Sequence, residues 1–285
     1  MPSNRPSRRD VMKLGAAAAL SAGLWPGALR AADAAAGDFR FLCVNDLHCM
    51  DDESAKWLES RVIGPMKDAA KAAKDPVDFC LVVGDLAEGG TAKEIATVRD
   101  LFGGLGVPVH VVPGNHDYVA DKAGGGAADS RAAYDDLFPG KLNYAFEHKG
   151  WQFVGLDSTQ GAAYQKTRVG DATLRWLDDR VPKLDKARPT VLFTHFPMGE
   201  KVTYRPANAD DVLARFADHN LRAVLNGHFH GHTARQAKAA AITTSPCCAL
   251  KRQNHDKTPA KGYHVCHAKA DGTLTREFVE VRAGA

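Results

Sequence analysis

Five short polar clusters, each directly after an apolar run, constrain this chain more than any other feature. They are Asp46-Leu47-His48, Gly84-Asp85, Gly114-Asn115-His116-Asp117, His195 and Gly227-His228-Phe229-His230. The runs before them, at 39–45, 77–83, 108–112, 190–193 and 222–225, have the length and apolar content of buried strands. In open α/β sheets, ligands bind beyond the carboxyl ends of such strands. Clusters far apart in the chain therefore converge in space. The pattern predicts an α/β protein with a polar site at one end of its sheet.

Helical spacing fills the intervals. Residues 54–74 put Leu58, Val62, Met66, Ala69 and Ala73 on one face, and helices also read over 91–101, 171–184 and 210–219. Further strands read at 141–147 and 151–157. After the last cluster come only short strands, near 233–237, 241–244, 262–267 and 273–281, which read as an antiparallel run. Residues 120–130 contain Gly124-Gly125-Gly126, lack any period and read as a mobile loop. Residues 37–285 are expected to form a single domain.

The amino terminus reads as an address. Arg8-Arg9 precedes an apolar stretch from Leu14 to Leu29, short for a bilayer span, and Ala32-Asp33-Ala34 fits the small-residue cleavage rule. Residues 1–36 are therefore expected to be a twin-arginine signal peptide, read by the twin-arginine translocase. No cysteine lies near the cleavage site to carry a lipid anchor. The mature protein is expected to be periplasmic or secreted, without a stable membrane anchor.

Arg5, Arg8, Arg9, Lys13 and Arg30 against Asp10 and Asp33 give this segment the whole net charge of +3. A neutral remainder argues against nucleic-acid binding driven by bulk charge. Cys43, Cys49, Cys80, Cys247, Cys248 and Cys266 form no C-x-x-C pair, which argues against a zinc ribbon. Cys43 and Cys80 read as small buried residues within strands.

Taken singly, the clusters are weak signals. An Asp after a strand is common in turns, and a lone His is usually structural. Two clusters are stronger. Gly-Asn-His-Asp puts a carbonyl, an imidazole and a carboxylate on one tight loop. In Gly-His-Phe-His the two imidazoles project the same way from an extended segment. Oxygen and imidazole donors without thiolate suit divalent manganese, iron, zinc, cobalt or nickel. Asp85 can offer two oxygens and so bridge two ions. Ions about 3.5–4 Å apart serve phosphoryl transfer.

The ordered set resembles the calcineurin-like metallophosphoesterase family, whose motifs read D-x-H, G-D, G-N-H-D or -E, H and G-H-x-H. Every position is filled over about residues 40–232. The resemblance implies a four-layer αββα sandwich. It implies one divalent ion on Asp46, His48, Asp85 and His230, and a second on Asp85, Asn115, His195 and His228. It implies that a metal-bridging hydroxide attacks phosphorus while His116 stabilises the transition state or protonates the leaving alkoxide. Asp117 and Glu88 are the candidate carboxylate partners of His116. Glu88 otherwise reads as a solvated loop residue.

Departures narrow the branch. Purple acid phosphatases place a tyrosine three residues after the bridging Asp, where this chain has Glu88. Ser/Thr protein phosphatases follow their extra acid with arginine, where this chain has Gly89. The set is nearest the small phosphodiesterases, with a nucleotide-like or lipid-derived diester as the expected substrate and a phosphomonoester as the alternative. A catalytically inactive metal-binding scaffold is the alternative of another class. His116 argues against it, because holding metal does not require that residue. Tyr118 is the aromatic candidate for substrate contact. Lys251, Arg252 and His255 are candidates for phosphate or base, and His232 reads as a strand-surface residue.

Overall fold

A computed structural model describes residues 36–50, 52–120 and 130–282. The expected signal and glycine loop fall almost wholly outside the described residues.

Two mixed sheets face each other. The first runs β11-β10-β1-β2-β3, built from β1 (Phe39–Val44), β2 (Val77–Val83), β3 (Val109–Val112), β10 (Gly262–Ala268) and β11 (Leu274–Glu280). The second runs β4-β5-β6-β7-β9-β8, from β4 (Tyr144–His148), β5 (Trp151–Leu156), β6 (Thr190–Thr194), β7 (Leu221–Asn226), β8 (Thr233–Ala237) and β9 (Ala240–Thr244). Strands β1 to β3 are mutually parallel, as are β5, β6, β7 and β9. Parallel strands share one direction, so their carboxyl ends lie together within each sheet.

Side-chain alternation makes the layers. Phe41 and Cys43 of β1, with Phe79 and Leu81 of β2, point inward onto Phe153, Val191, Phe193 and Leu225 of the second sheet. Leu42, Val44, Cys80 and Val82 point outward into a core with Leu58, Met66, Ile95 and Phe102. Val154, Leu192 and Val224 cover the far side against Leu177, Val212 and Phe216. The result is the expected α/β sandwich, helices outside and two sheets within.

Helix details follow the chain chemistry. Helix α1 (Glu53–Trp57) starts at Asp52, whose side chain accepts from Ser54 N. The periodic stretch expected over 54–74 continues through a π turn (Leu58–Ile63) into α2 (Gly64–Ala70). Pro65 has no N–H to give its i−4 carbonyl, and Gly64 N reaches back to Glu59 O instead. Helix α3 (Ala92–Gly103) is held by a Thr91–Glu94 capping box. Helix α4 (Ala132–Leu137) was not expected from the pattern; it is short and buries Tyr134. Helix α5 (Asp171–Arg180) ends before the expected 184, because Pro182 turns the chain into a 3-10 segment. Helix α6 spans Ala209–Ala214.

The late strands do not form one antiparallel run. Strand β9 pairs parallel with β7, whereas the β10–β11 hairpin crosses to the first sheet beside β1. Buried Ile242 on β9 joins the outer core of the second sheet, which fixes that placement. All six cysteines are buried, and none is in a disulfide among the described residues.

Candidate metal centre

The loops after β1 and β2 are zipped together. Asp46 N donates to Gly84 O at 3.1 Å, and Leu47 N and His48 N both donate to Asp85 O, at 2.8 and 3.0 Å. The zipper forces unusual backbone. Asp46, His48, Asp85, His228 and His230 all have left-handed φ, between 45° and 63°. Side chains other than glycine seldom accept that strain, and it concentrates where function fixes geometry.

Two glycines make the close approach possible. A β-carbon on Gly114 would stand 2.1 Å from Asp85 Oδ1, and one on Gly227 would stand 2.7 Å from Asp46 Oδ2. The glycines of Gly-Asn-His-Asp and Gly-His-Phe-His are therefore required by the neighbouring cluster.

Asp85 lies between two groups of donors. Asp46, His48, Asp85 and His230 form one group, and Asp85, His195 and His228 form the other, each with its donor atoms within 4.8 Å of one another. His48 Nε2 is 3.4 Å from Asp85 Oδ2, and His195 Nε2 is 3.3 Å from Asp85 Oδ1. His48 Nε2 faces His230 Nε2 at 3.2 Å, and His195 Nε2 faces His228 Nδ1 at 3.2 Å. Buried Asn115 Oδ1 has no hydrogen-bond partner among the described residues. An orphaned buried carbonyl is costly unless a ligand satisfies it. The donor set thus fits two hard or borderline divalent cations.

The other nitrogen of three of these imidazoles is hydrogen-bonded to a main-chain carbonyl. His195 Nδ1 donates to Val83 O, His230 Nδ1 to Gln253 O and His228 Nε2 to Tyr164 O, at 3.1, 3.2 and 2.8 Å. His48 Nδ1 lies 2.9 Å from Glu88 Oε2. Such outer contacts select the tautomer that turns a lone pair toward a cation. Asp46 is held by His228 N, 3.1 and 3.0 Å from its two oxygens, and by Asn45 Nδ2 at 2.5 Å.

The electrostatics fit the same arrangement. Burial opposes charge on His195 and His230, but the carboxylates of Asp85 and Asp46 override it and raise their pKa to about 9 and about 11. The buried acids thus hold protons on their neighbours when no other cation is present. A metal would compete with those protons for the same lone pairs.

His116 and Asp117 part company. His116 reaches the cavity, with Nδ1 2.7 Å from Glu88 O and 3.9 Å from Glu88 Oε1. Asp117 is fully buried, and its oxygens accept from Ala87 N at 2.9 Å and Gly114 N at 2.8 Å. Burial and the nearby Asp85 charge push its pKa up. Asp117 therefore ties the β2 and β3 loops together, and Glu88 is the carboxylate beside the His116 ring. Glu88 is no solvated loop residue. Arg252 Nε donates to Glu88 Oε2 at 2.9 Å, and Arg252 Nη2 pairs with Oε1. Arg252 Nη2 also sits 3.3 Å from His116 Nε2.

A cavity of about 710 Å³ opens over these groups, lined by Tyr118, Arg252 and His255 as expected and by Tyr164 and Tyr204, which sequence reasoning missed. No periodicity or motif marks those two tyrosines; they lie in irregular loops after β5 and β6. Lys251 turns away to Asp52 and Glu53, at 2.7 and 3.2 Å. His232 packs on Phe278 and His264, outside this cavity.

Fold and donor clusters together define a protein of the metallophosphoesterase class. Residues 39–232 match the calcineurin-like phosphoesterase family, and the chain belongs to it. Among curated relatives, the glycerophosphodiester phosphodiesterase GpdQ of Enterobacter lignolyticus is 29% identical over 182 residues, 59% of this chain and 62% of its own length. This chain thus spans less than two thirds of that relative. Among solved structures, purple acid phosphatase PPD1 from yellow lupin seeds is 13% identical with a TM-score of 0.60, covering 87% of this chain and 52% of that one. GAP50 of Plasmodium is 13% identical with a TM-score of 0.58, covering 86% and 85%. These two likenesses carry the fold alone.

Proposed function

We propose that this chain is a phosphodiesterase for small diesters, with two divalent transition-metal ions (Mn, Fe, Zn, Co or Ni) held on either side of Asp85. The observation that carries the reading is Asp85 itself, buried, with one oxygen toward His48 and the other toward His195. Bound there, the ions would acidify a water and neutralise charge at phosphorus. The similarity to a glycerophosphodiester phosphodiesterase supports a diester. So does the cavity, which extends past the donor cluster both toward Glu88 and Arg252 and toward Tyr164 and Tyr204. A diester needs that room on both sides.

The chain's own groups do the rest. His116 hands a proton to the departing alkoxide oxygen. Arg252 offers its guanidinium to a non-bridging oxygen. Glu88 holds both His48 and Arg252 in place. Arg252 also supports the second reading, a phosphomonoesterase, because an added cation beside His116 favours a dianionic ester. An inactive scaffold has no use for His116 turned into the cavity.

The test compares turnover of bis(p-nitrophenyl) phosphate with p-nitrophenyl phosphate across several metals. Preferred hydrolysis of the diester is expected; preferred hydrolysis of the monoester selects the second reading. We also propose export through Arg8-Arg9, for which Lys-Lys replacement should leave the protein in the cytoplasm; unaltered export refutes it.

A further inference from the structure

The cavity is chemically lopsided. Its lining includes a polar group, Glu88, His116 and Arg252, and, beside His228, the rings of Tyr204 and Tyr164. The Tyr204 ring lies 5.1 Å from the His228 ring and 5.3 Å from the His255 ring. Tyr164 lies 6.3 Å beyond Tyr204. A chain of edge-on and tilted rings thus begins at the donor cluster and runs outward to Tyr164.

Two features set this row apart from ordinary packing. Tyr164 is 54% exposed and belongs to a small set of exposed large apolar residues among the described ones; Val119, another of that set, also lines the cavity. Apolar exposure gathered at the mouth of a polar site marks a ligand surface. Tyr204 has left-handed backbone, with φ of 67°. A bulky aromatic in that region is an outlier that the surroundings must enforce. Arg205 enforces it, with Nε on Met198 O at 2.9 Å and Nη2 on Asp210 Oδ1 at 2.5 Å. The strained backbone places the Tyr204 ring beside His228 rather than in a core.

We propose that Tyr204 and Tyr164 form a stacking subsite that selects esters bearing a flat ring, an aryl group or a nucleobase, over esters of small polyols. This rests on the phosphodiesterase reading and names the group that one side of the diester carries. Rings stack because two flat π faces maximise dispersion contact and align their quadrupoles, whereas a glycerol chain has no flat face to match. The polar group then receives the leaving alcohol.

The test uses the metal-loaded full chain and two readouts. In calorimetry, adenosine monophosphate is expected to bind on the order of tenfold tighter than glycerol 3-phosphate. Tyr164→Leu and Tyr204→Leu should bring the two ligands to near parity by weakening only the nucleotide, and Tyr204→Phe should keep the preference. In kinetics, the leucine variants should raise KM for a p-nitrophenyl nucleotide diester on the order of tenfold more than KM for glycerophosphoethanolamine. Equal affinities in the unaltered protein, or leucine variants that weaken both ligands alike, overturn the subsite. Absent diester turnover with a retained nucleotide preference overturns the phosphodiesterase reading and leaves the subsite standing.

Discussion

The ring of His116 is anchored by the main chain of Glu88: Nδ1 lies 2.7 Å from that carbonyl oxygen. The bond makes Nδ1 a donor, and Nε2 lies 3.3 Å from Arg252 Nη2. Replacing His116 with Ala removes the proton donor but no member of the two donor groups around Asp85. Metal content should be retained while kcat falls at least ~100-fold. Unchanged turnover would remove the assignment.

The Glu88 carboxylate joins His48 and Arg252. Glu88→Gln keeps the shape but weakens the pair with Arg252 and the contact with His48 Nδ1 at 2.9 Å. Metal affinity should drop by roughly 10–100-fold, the usual cost of losing an outer contact to a ligating imidazole. Metal titration of the variant followed by atomic absorption checks this.

Metal stoichiometry separates the two donor groups. The unaltered protein should hold close to two divalent ions and lose activity on chelation. Asn115→Ala removes the orphaned Oδ1 and should mainly deplete one ion, whereas Asp85→Asn should deplete both. Equal loss from the two variants would contradict a bridging Asp85.

Gly114→Ala tests why glycine is required. Its β-carbon would meet Asp85 Oδ1 at 2.1 Å and Asp85 N at 2.2 Å, both in a buried loop. The Gly114 loop must therefore shift away from Asp85. Metal content should collapse while the far-ultraviolet circular dichroism stays close to that of the parent.

His110 predicts a pH effect away from the centre. It stacks on Phe146 at 3.7 Å, and burial, aided by the charges of Lys141 and His148, lowers its pKa to about 4. The unfolded chain, with an ordinary imidazole at 6.5, binds the proton first. Stability from this residue is present above pH 6.5 and is lost as pH falls toward 4. Its size is about 1–2 kcal/mol after allowing for partial solvent access. In urea titrations of metal-free protein at pH 7 and 4.5, His110→Phe should lose less stability on acidification than the parent.

Much of the centre was legible along the chain because a strand end is a local event. An apolar run sets each strand, a turn stops it, and the residue just past the stop sits at the carboxyl end of the sheet, buried where neighbouring loops meet. That logic located Asp46, Asp85, Asn115, His195 and His228 before any contact was known. It also placed β1, β2 and β5 within a residue of their observed ends.

What the chain could not tell was which loops would touch. Arg252 meets Glu88 across 164 residues, and Tyr204 reaches His228 only because two loops of the second sheet lean together. Asp117 stood ahead of Glu88 as the carboxylate partner of His116 until packing drew both Asp117 oxygens onto main-chain N–H groups. Residue types and strand ends are written in local periodicity and turn chemistry. The pairing of partners across the cavity depends on how two sheets stack, and no single segment of the sequence carries that information.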